Sequence, residues 1–127
     1  MALSITLKQL PKLYGVSRLA PTDDFPLWIN GDGFLSVTRT TDELSIVCEQ
    51  DRIPRDVQSS LDWVCFQFVG PFAFDDTGIV SSVIQPLSDN KIGIFVVSTY
   101  DGDHLLIQRN HLDQAIGILT SSGHVFL

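Results

Sequence analysis

WVCFQFVGPFAFDDTGIVSSVIQPLSDNKIGIFVVSTYDGDHLLIQRNHLDQAIGILTSSGHVFL, residues 63–127, is the stretch that decides the fold. Trp63–Val69 is dense in aromatic and β-branched residues, which predicts a strand. Over Thr77–Leu87 the residues Ile79, Val80, Val83, Ile84 and Leu87 recur at the helical period and share one face, which predicts a helix. Pro86 lies late in it and predicts a kinked or loosened last turn. Ile92–Thr99 is a nearly continuous apolar run, the pattern of a central strand buried on both faces. Tyr100–Asp103 reads as a turn around Gly102, and Leu105–Gln108 as the returning strand. Asn110 is placed to cap a helix over His111–Thr120, with Asp113 in its first turn and Leu112, Ala115, Ile116 and Leu119 as its apolar stripe. Gly123 ends that helix, and His124–Leu127 forms a last short strand.

The resulting order, β-α-β-β-α-β, is the ferredoxin-like arrangement, an α+β fold with an antiparallel sheet and helices on one face. The first half of the chain is less regular. Leu3–Leu7 and Tyr14–Leu19 read as a hairpin around Pro11, and Phe34–Arg39 and Leu44–Cys48 as two more strands. No long amphipathic helix is evident there. The loop QDRIPRDVQSSL, residues 50–61, divides the chain nearly in half, so the expected modules are 1–61, degenerate, and 62–127. A shift of 61 positions matches Thr38 with Thr99, Asp42 with Asp103, Leu44 with Leu105 and Ile46 with Ile107. Such self-similarity marks a repeated unit, although two β-turn-β pieces also resemble each other by chance.

The 127 residues suit one domain or two small modules sharing a core. With 44% apolar and 18% charged residues, the composition excludes a disordered chain. Mean hydropathy of +0.20 hints at apolar surface buried between chains. Eight basic against fifteen acidic residues give a net charge of −7, which argues against nucleic acid and against anionic membrane surfaces. No run reaches the length of a membrane helix, and Lys8, Pro11 and Lys12 interrupt any signal-peptide core. The expectation is a cytoplasmic protein. Cys48 and Cys65, each in an apolar strand-like run without CxxC spacing, read as buried reduced thiols.

Two loops gather polar residues: Phe74–Ile79, leading into the first helix, and Ser98–Asp103, between two strands. A free amino acid would suit them. Its carboxylate would meet the helix start at Thr77, Gly78 and Ile79. Its ammonium would meet Asp76, Asp103 and Thr99, and Tyr100 and Ile79 would supply the apolar wall. Asp75, Asp76 and Thr77 are also ordinary helix-capping residues, and Asp101, Gly102 and Asp103 ordinary turn residues. Four carboxylates on two loops also admit Mg²⁺ or Ca²⁺, but no metal-ligand motif accompanies them, and no metal or other cofactor is expected. His104, His111 and His124 lack zinc spacing, and there is no GxSxG elbow. A Cys65–His104 pair is conceivable, but no catalytic constellation stands out and the chain reads as a non-enzyme.

FLSVTRTTDELSIVCEQDRIP (34–54) and TGIVSSVIQPLSDNKIGIFVVSTYDGDHLLIQRNHLDQAIGIL (77–119) resemble the ACT-domain proteins of the CASTOR type. This group includes small bacterial tandem-ACT proteins and animal arginine sensors, and is related to the regulatory domains of aspartate kinases. The markers are Ser98-Thr99-Tyr100-Asp101-Gly102-Asp103 and the Thr38–Cys48 segment, in that spacing. The resemblance implies two tandem ACT-like modules. It also implies a free amino acid bound at a module interface, without turnover. Carried over by motif position, the ligand-binding residues are Asp76, Thr77, Gly78, Ile79, Ser98, Thr99, Tyr100, Gly102 and Asp103. Ser82 and Val83 match a pair that faces the ligand from a partner module. With one clear ligand-type module per chain, a homodimer would supply both walls. Gly102 and His104 depart from the residues usual in the turn, so arginine does not follow as the ligand. The resulting expectation is a regulatory amino-acid sensor that also meets a regulated partner protein. The alternative is a ligand-free protein–protein interaction module, a structural ACT-type dimerisation unit.

Overall fold

In the computed structural model, which describes residues 3–73 and 75–127, the elements follow in chain order. They are β1 (Thr6–Gln9), β2 (Tyr14–Leu19), β3 (Ser36–Arg39), β4 (Leu44–Glu49), β5 (Ser59–Phe68), α1 (Ile79–Asp89), β6 (Ile94–Ser98), β7 (Asp103–Gln108), α2 (Leu112–Ser121) and β8 (Val125–Phe126). Short 3-10 turns lie at Leu27–Ile29, Gln50–Arg52 and Arg109–His111. The chain divides into two units, Met1–Leu10 with Val64–Leu127, and Pro11–Trp63. The sequence places a single cut between 61 and 62.

The C-terminal unit has the expected β-α-β-β-α-β order, an α+β fold. β6 pairs antiparallel with β7, and β7 with β5. On the other side of β5 lies β1, antiparallel, with Leu7 opposite Phe68. β8 then runs parallel to β1, with Thr6 opposite Val125. The N-terminal strand is therefore inserted between the first and last strands of the motif. This corrects the expected Leu3–Leu7/Tyr14–Leu19 hairpin, because β1 takes its partners from β5 in the middle of the sequence and β8 at its end. It also corrects the reading of β6 as a central strand. Its residues Ile94–Val97 are only half-buried, whereas Val64–Phe66 in β5 and Leu105–Ile107 in β7 are fully buried. An apolar run alone does not separate an edge strand from a central one.

Both helices bury the predicted faces, α1 through Val83 and Leu87 and α2 through Ala115 and Leu119. Asn110 is not the cap of α2. It lies inside the 3-10 turn, and α2 starts from His111 without a side-chain cap.

Pro86 lies inside α1 and has no N–H to give to the carbonyl of Ser82, four residues back. His124 supplies the missing donor. Its Nδ1 accepts the N–H of Ile5 at 3.0 Å, so the ring proton sits on Nε2, which donates to the Ser82 oxygen at 2.8 Å. A buried histidine thus ties α1 to the residue just before β1.

In the N-terminal unit, β2 pairs antiparallel with β4, and β4 with β3. The early part of β5 joins β2 through a bulge near Tyr14–Val16. Ile29, Leu44, Ile46 and Cys48 form its core, with Leu19, Trp28, Val37 and Ile53 packed on it. The buried Glu49 carboxylate meets Arg52 at 3.3 Å and Lys12 at 3.8 Å. Gly33, at φ +87°, is required here, because a Cβ would lie 2.5 Å from Glu49 Oε2 and 2.8 Å from the Tyr14 hydroxyl.

The hairpins of the two units match with a shift of 59, two residues short of the sequence match. In the first, Thr40 N–H donates to the Glu43 carbonyl at 2.9 Å, and in the second, Thr99 N–H to the Gly102 carbonyl at 2.6 Å. Each threonine hydroxyl repeats its own N–H contact. At the same shift the 3-10 turn Gln50–Arg52 matches Arg109–His111. The paths part at the next residue, where Ile53 is extended and Leu112 is helical. Pro54 follows Ile53 and disfavours helical backbone there, so this unit has no counterpart of α2.

Cys48 and Cys65 are both free and fully buried. Burial pushes the Cys65 thiol up to about 12. Burial also raises Cys48, opposed in part by the Arg52 guanidinium. Thiolate is the reactive form, so neither should react with a disulfide reagent in the native protein. The expected titration is no rapid label at pH 8 and two labels per chain after denaturation.

Candidate functional site

Two turns of the C-terminal unit bound a cavity of about 450 Å³. The first is Ala73–Asp76, closed by reciprocal bonds. Asp76 N–H donates to the Ala73 carbonyl at 3.0 Å, and Ala73 N–H to Asp76 Oδ2 at 2.7 Å. Asp76 therefore caps this turn and not α1. Gly78 makes the bend into the helix at φ +77°, and α1 begins without any side-chain cap or acidic residue in its first turn. Its first-turn N–H groups are the kind that accept an anion. The ordinary helix-capping reading of Asp75, Asp76 and Thr77 is thus not realised.

The second turn is Ser98–Asp103. Ser98 Oγ donates to Asp103 Oδ1, which fixes that carboxylate at the turn. The Thr99 hydroxyl proton is given to the Gly102 carbonyl, so its oxygen lone pairs remain as acceptors. Gly102 passes close to an aromatic ring, and a Cβ there would lie 3.3 Å from Phe72 Cδ2. Tyr100 is 81% exposed, which puts its ring at the rim.

Of the residues expected to bind a ligand, Asp76, Gly78, Ile79, Ser98, Thr99, Tyr100, Gly102 and Asp103 line this cavity. Thr77, Ser82 and Val83 do not. Val83 is wholly buried in the core, and Ser82 turns its hydroxyl onto the Ile79 carbonyl at 2.7 Å. Helical spacing places these two on the inner face of α1, which motif position alone does not reveal. The cavity also uses Phe72, Ala73, Val80, Ser81 and Asp101, which the motif did not single out. Phe72 stands in a Gly-Pro loop whose path has no periodic signal.

Its charge is one-sided. Asp76, Asp101 and Asp103 line it, and none of the described lining residues is basic. Among the described residues no group of three or more His, Cys, Asp or Glu is arranged to hold a metal ion. A neighbouring cavity of about 370 Å³ shares Phe72, Thr99 and the turn 101–103 and adds His104. Burial lowers the His104 imidazole below its ordinary value, and Asp103 partly opposes this. The folded state therefore favours the neutral ring. Its contribution to stability is full above pH 6.5 and declines as pH falls toward the depressed midpoint. The His104 ring signals are expected to titrate below 6.5, and a midpoint above it would contradict the burial argument.

A profile of the ACT-domain family matches residues 58–121, and a second profile, of an N-terminal domain, matches residues 12–56. The human protein CASTOR3P is 29% identical over 101 residues, an alignment covering 69% of this chain and 62% of that protein's length. The crystal structure of Atu0741 from Agobacterium tumefaciens aligns with a TM-score of 0.95 at 57% identity, over 99% of this chain and 94% of that one. The ligand-free regulatory subunit of aspartate kinase from Thermus thermophilus shares the fold, with a TM-score of 0.61 at 8% identity, over 87% of this chain and 93% of that one. No helix among the described residues is long and apolar enough to cross a membrane. The ACT match supports a regulatory, small-molecule-binding role and points away from catalysis. Strand order, the Ser98–Asp103 turn and these matches agree, and the chain belongs to the ACT-domain family.

Proposed function

We propose that the chain is an amino-acid sensor, a cytoplasmic regulatory protein that binds a free amino acid in the cavity between Ala73–Ser81 and Ser98–Asp103 and does not turn it over. The observation that supports this best is the cavity's polarity. Asp76, Asp101 and Asp103 line it with no basic side chain among the described lining residues, and α1 begins at its wall without a side-chain cap. A zwitterion presents the complement, an ammonium for Asp103 and the Thr99 oxygen and a carboxylate for the helix N–H groups. The cavity volume falls in the range of small-molecule sites. The assembly is a homodimer. β6 supports this, since among the described residues it pairs only with β7, and Ile94–Ser98 has no charged residue to discourage a second copy from adding to its other edge.

A thermal-shift screen against the twenty amino acids tests the reading. A binder raises the melting temperature by an amount that grows with the logarithm of its concentration. One or a few responders are expected. Silence across the panel, with a fixed protein partner co-purifying, would replace the sensor with a ligand-free interaction module.

A further inference from the structure

The two turns that frame the open cavity also occur in the N-terminal unit. Ala20–Asp23 repeats Ala73–Asp76 bond for bond: Asp23 N–H donates to the Ala20 carbonyl at 3.1 Å, and Ala20 N–H to Asp23 Oδ2 at 3.2 Å. Thr40–Glu43 repeats Thr99–Gly102 in the same way. What differs is the pair of residues beside them. Ser98 precedes the second turn in the open cavity, and Arg39 stands at its counterpart. Gly78 lies two residues beyond the aspartate of the first turn, and Phe25 stands at its counterpart.

Both large side chains meet at the first turn. Arg39 Nη1 donates to the Pro21 carbonyl and Nη2 to the Asp23 carbonyl at 2.9 Å. Its guanidinium carbon lies 5.2 Å from the centre of the Phe25 ring, within cation–π range. Arg18 Nη2 adds a bond to the Asp42 carbonyl at 3.0 Å, pinning the other turn.

We infer that the N-terminal unit holds a second copy of the two-turn binding site, occupied by the chain's own Arg39 as an internal ligand. The carbonyls of its first turn and the Phe25 ring form a seat for a guanidinium group, and Arg39 fills it. Each chain therefore offers one open site and one self-filled site. The inference stands on the repeated turns and the Arg39 contacts, independently of what the open cavity binds.

Methylguanidinium added to the full-length wild-type chain and to Arg39→Ala, followed by amide NMR, tests it. In Arg39→Ala the amides of Ala20, Thr22, Asp23 and Thr40 are expected to shift saturably at millimolar probe. In the wild type they are expected to stay in place. Equal responses in the two chains, no response in the variant, or shifts confined to Ala73–Gly78 and Ser98–Asp103 would overturn the inference. Should Arg39→Ala fail to fold, the wild-type Arg39 side chain decides. Slowed rotation about its Nε–Cζ bond, seen as separate Nη proton signals, is expected of a seated guanidinium, and a single averaged signal would overturn it.

Discussion

Replacing His124 with leucine is expected to destabilise the protein by roughly 2–6 kcal/mol, although the volume is nearly kept. The ring is buried and satisfies two backbone groups, the N–H of Ile5 and the carbonyl of Ser82. Leaving each unpaired in the interior costs about 1–3 kcal/mol. For a domain of this size that is a large share of a net stability of about 5–15 kcal/mol. The melting temperature should fall by roughly 10 °C or more.

A sharper form of the prediction uses Pro86. Because proline leaves the Ser82 carbonyl without its helical donor, Pro86→Ala restores that donor from within α1. Pro86→Ala should therefore recover more stability in the His124→Leu background than it adds to the wild type. Urea unfolding of the four chains measures the coupling. Strictly additive effects would show that the histidine and the proline are independent.

Asp103→Ala carries the second large effect, on binding. The carboxylate sits at the start of β7 at the end of the turn, lines the cavity, and is held by the Ser98 hydroxyl. It is also partly exposed, so its removal strands no buried partner and should cost the fold little. A charge-assisted hydrogen bond to an ammonium is worth about 1.5–3 kcal/mol. Loss of that bond weakens affinity by roughly ten- to a hundred-fold. Titration calorimetry on the amino acid that the screen identifies should show this, with the melting temperature of the unliganded variant close to wild type. Unchanged affinity would remove Asp103 from the site.

Much of the C-terminal unit is legible in the sequence because its signals are local. The α1 and α2 faces follow from the spacing of Val83 with Leu87 and of Ala115 with Leu119, and both pairs are buried as that spacing requires. Long-range pairing is not legible. Nothing in Thr6–Gln9 announces that it lies beside β5 and β8, and the nearest strand in sequence is the natural but wrong guess. β6 shows the same limit, since its apolar run describes composition and not the number of neighbours.

The site divides in the same way. Polar turn residues such as Asp76, Thr99 and Asp103 line the cavity where their loops suggested. Ser82 and Val83, chosen by motif position, point into bonds and core of their own unit. The role of His124 was invisible without the fold, because its two partners, Ile5 and Ser82, lie far apart in sequence.

The central claim is that a free amino acid occupies the cavity between the two turns, and amide NMR with the responding amino acid tests it most directly. Saturable shifts concentrated at Ala73–Ser81 and Ser98–Asp103, and lost in Asp103→Ala, are the predicted result. Shifts elsewhere in the chain, or shifts that persist in that variant, would contradict it.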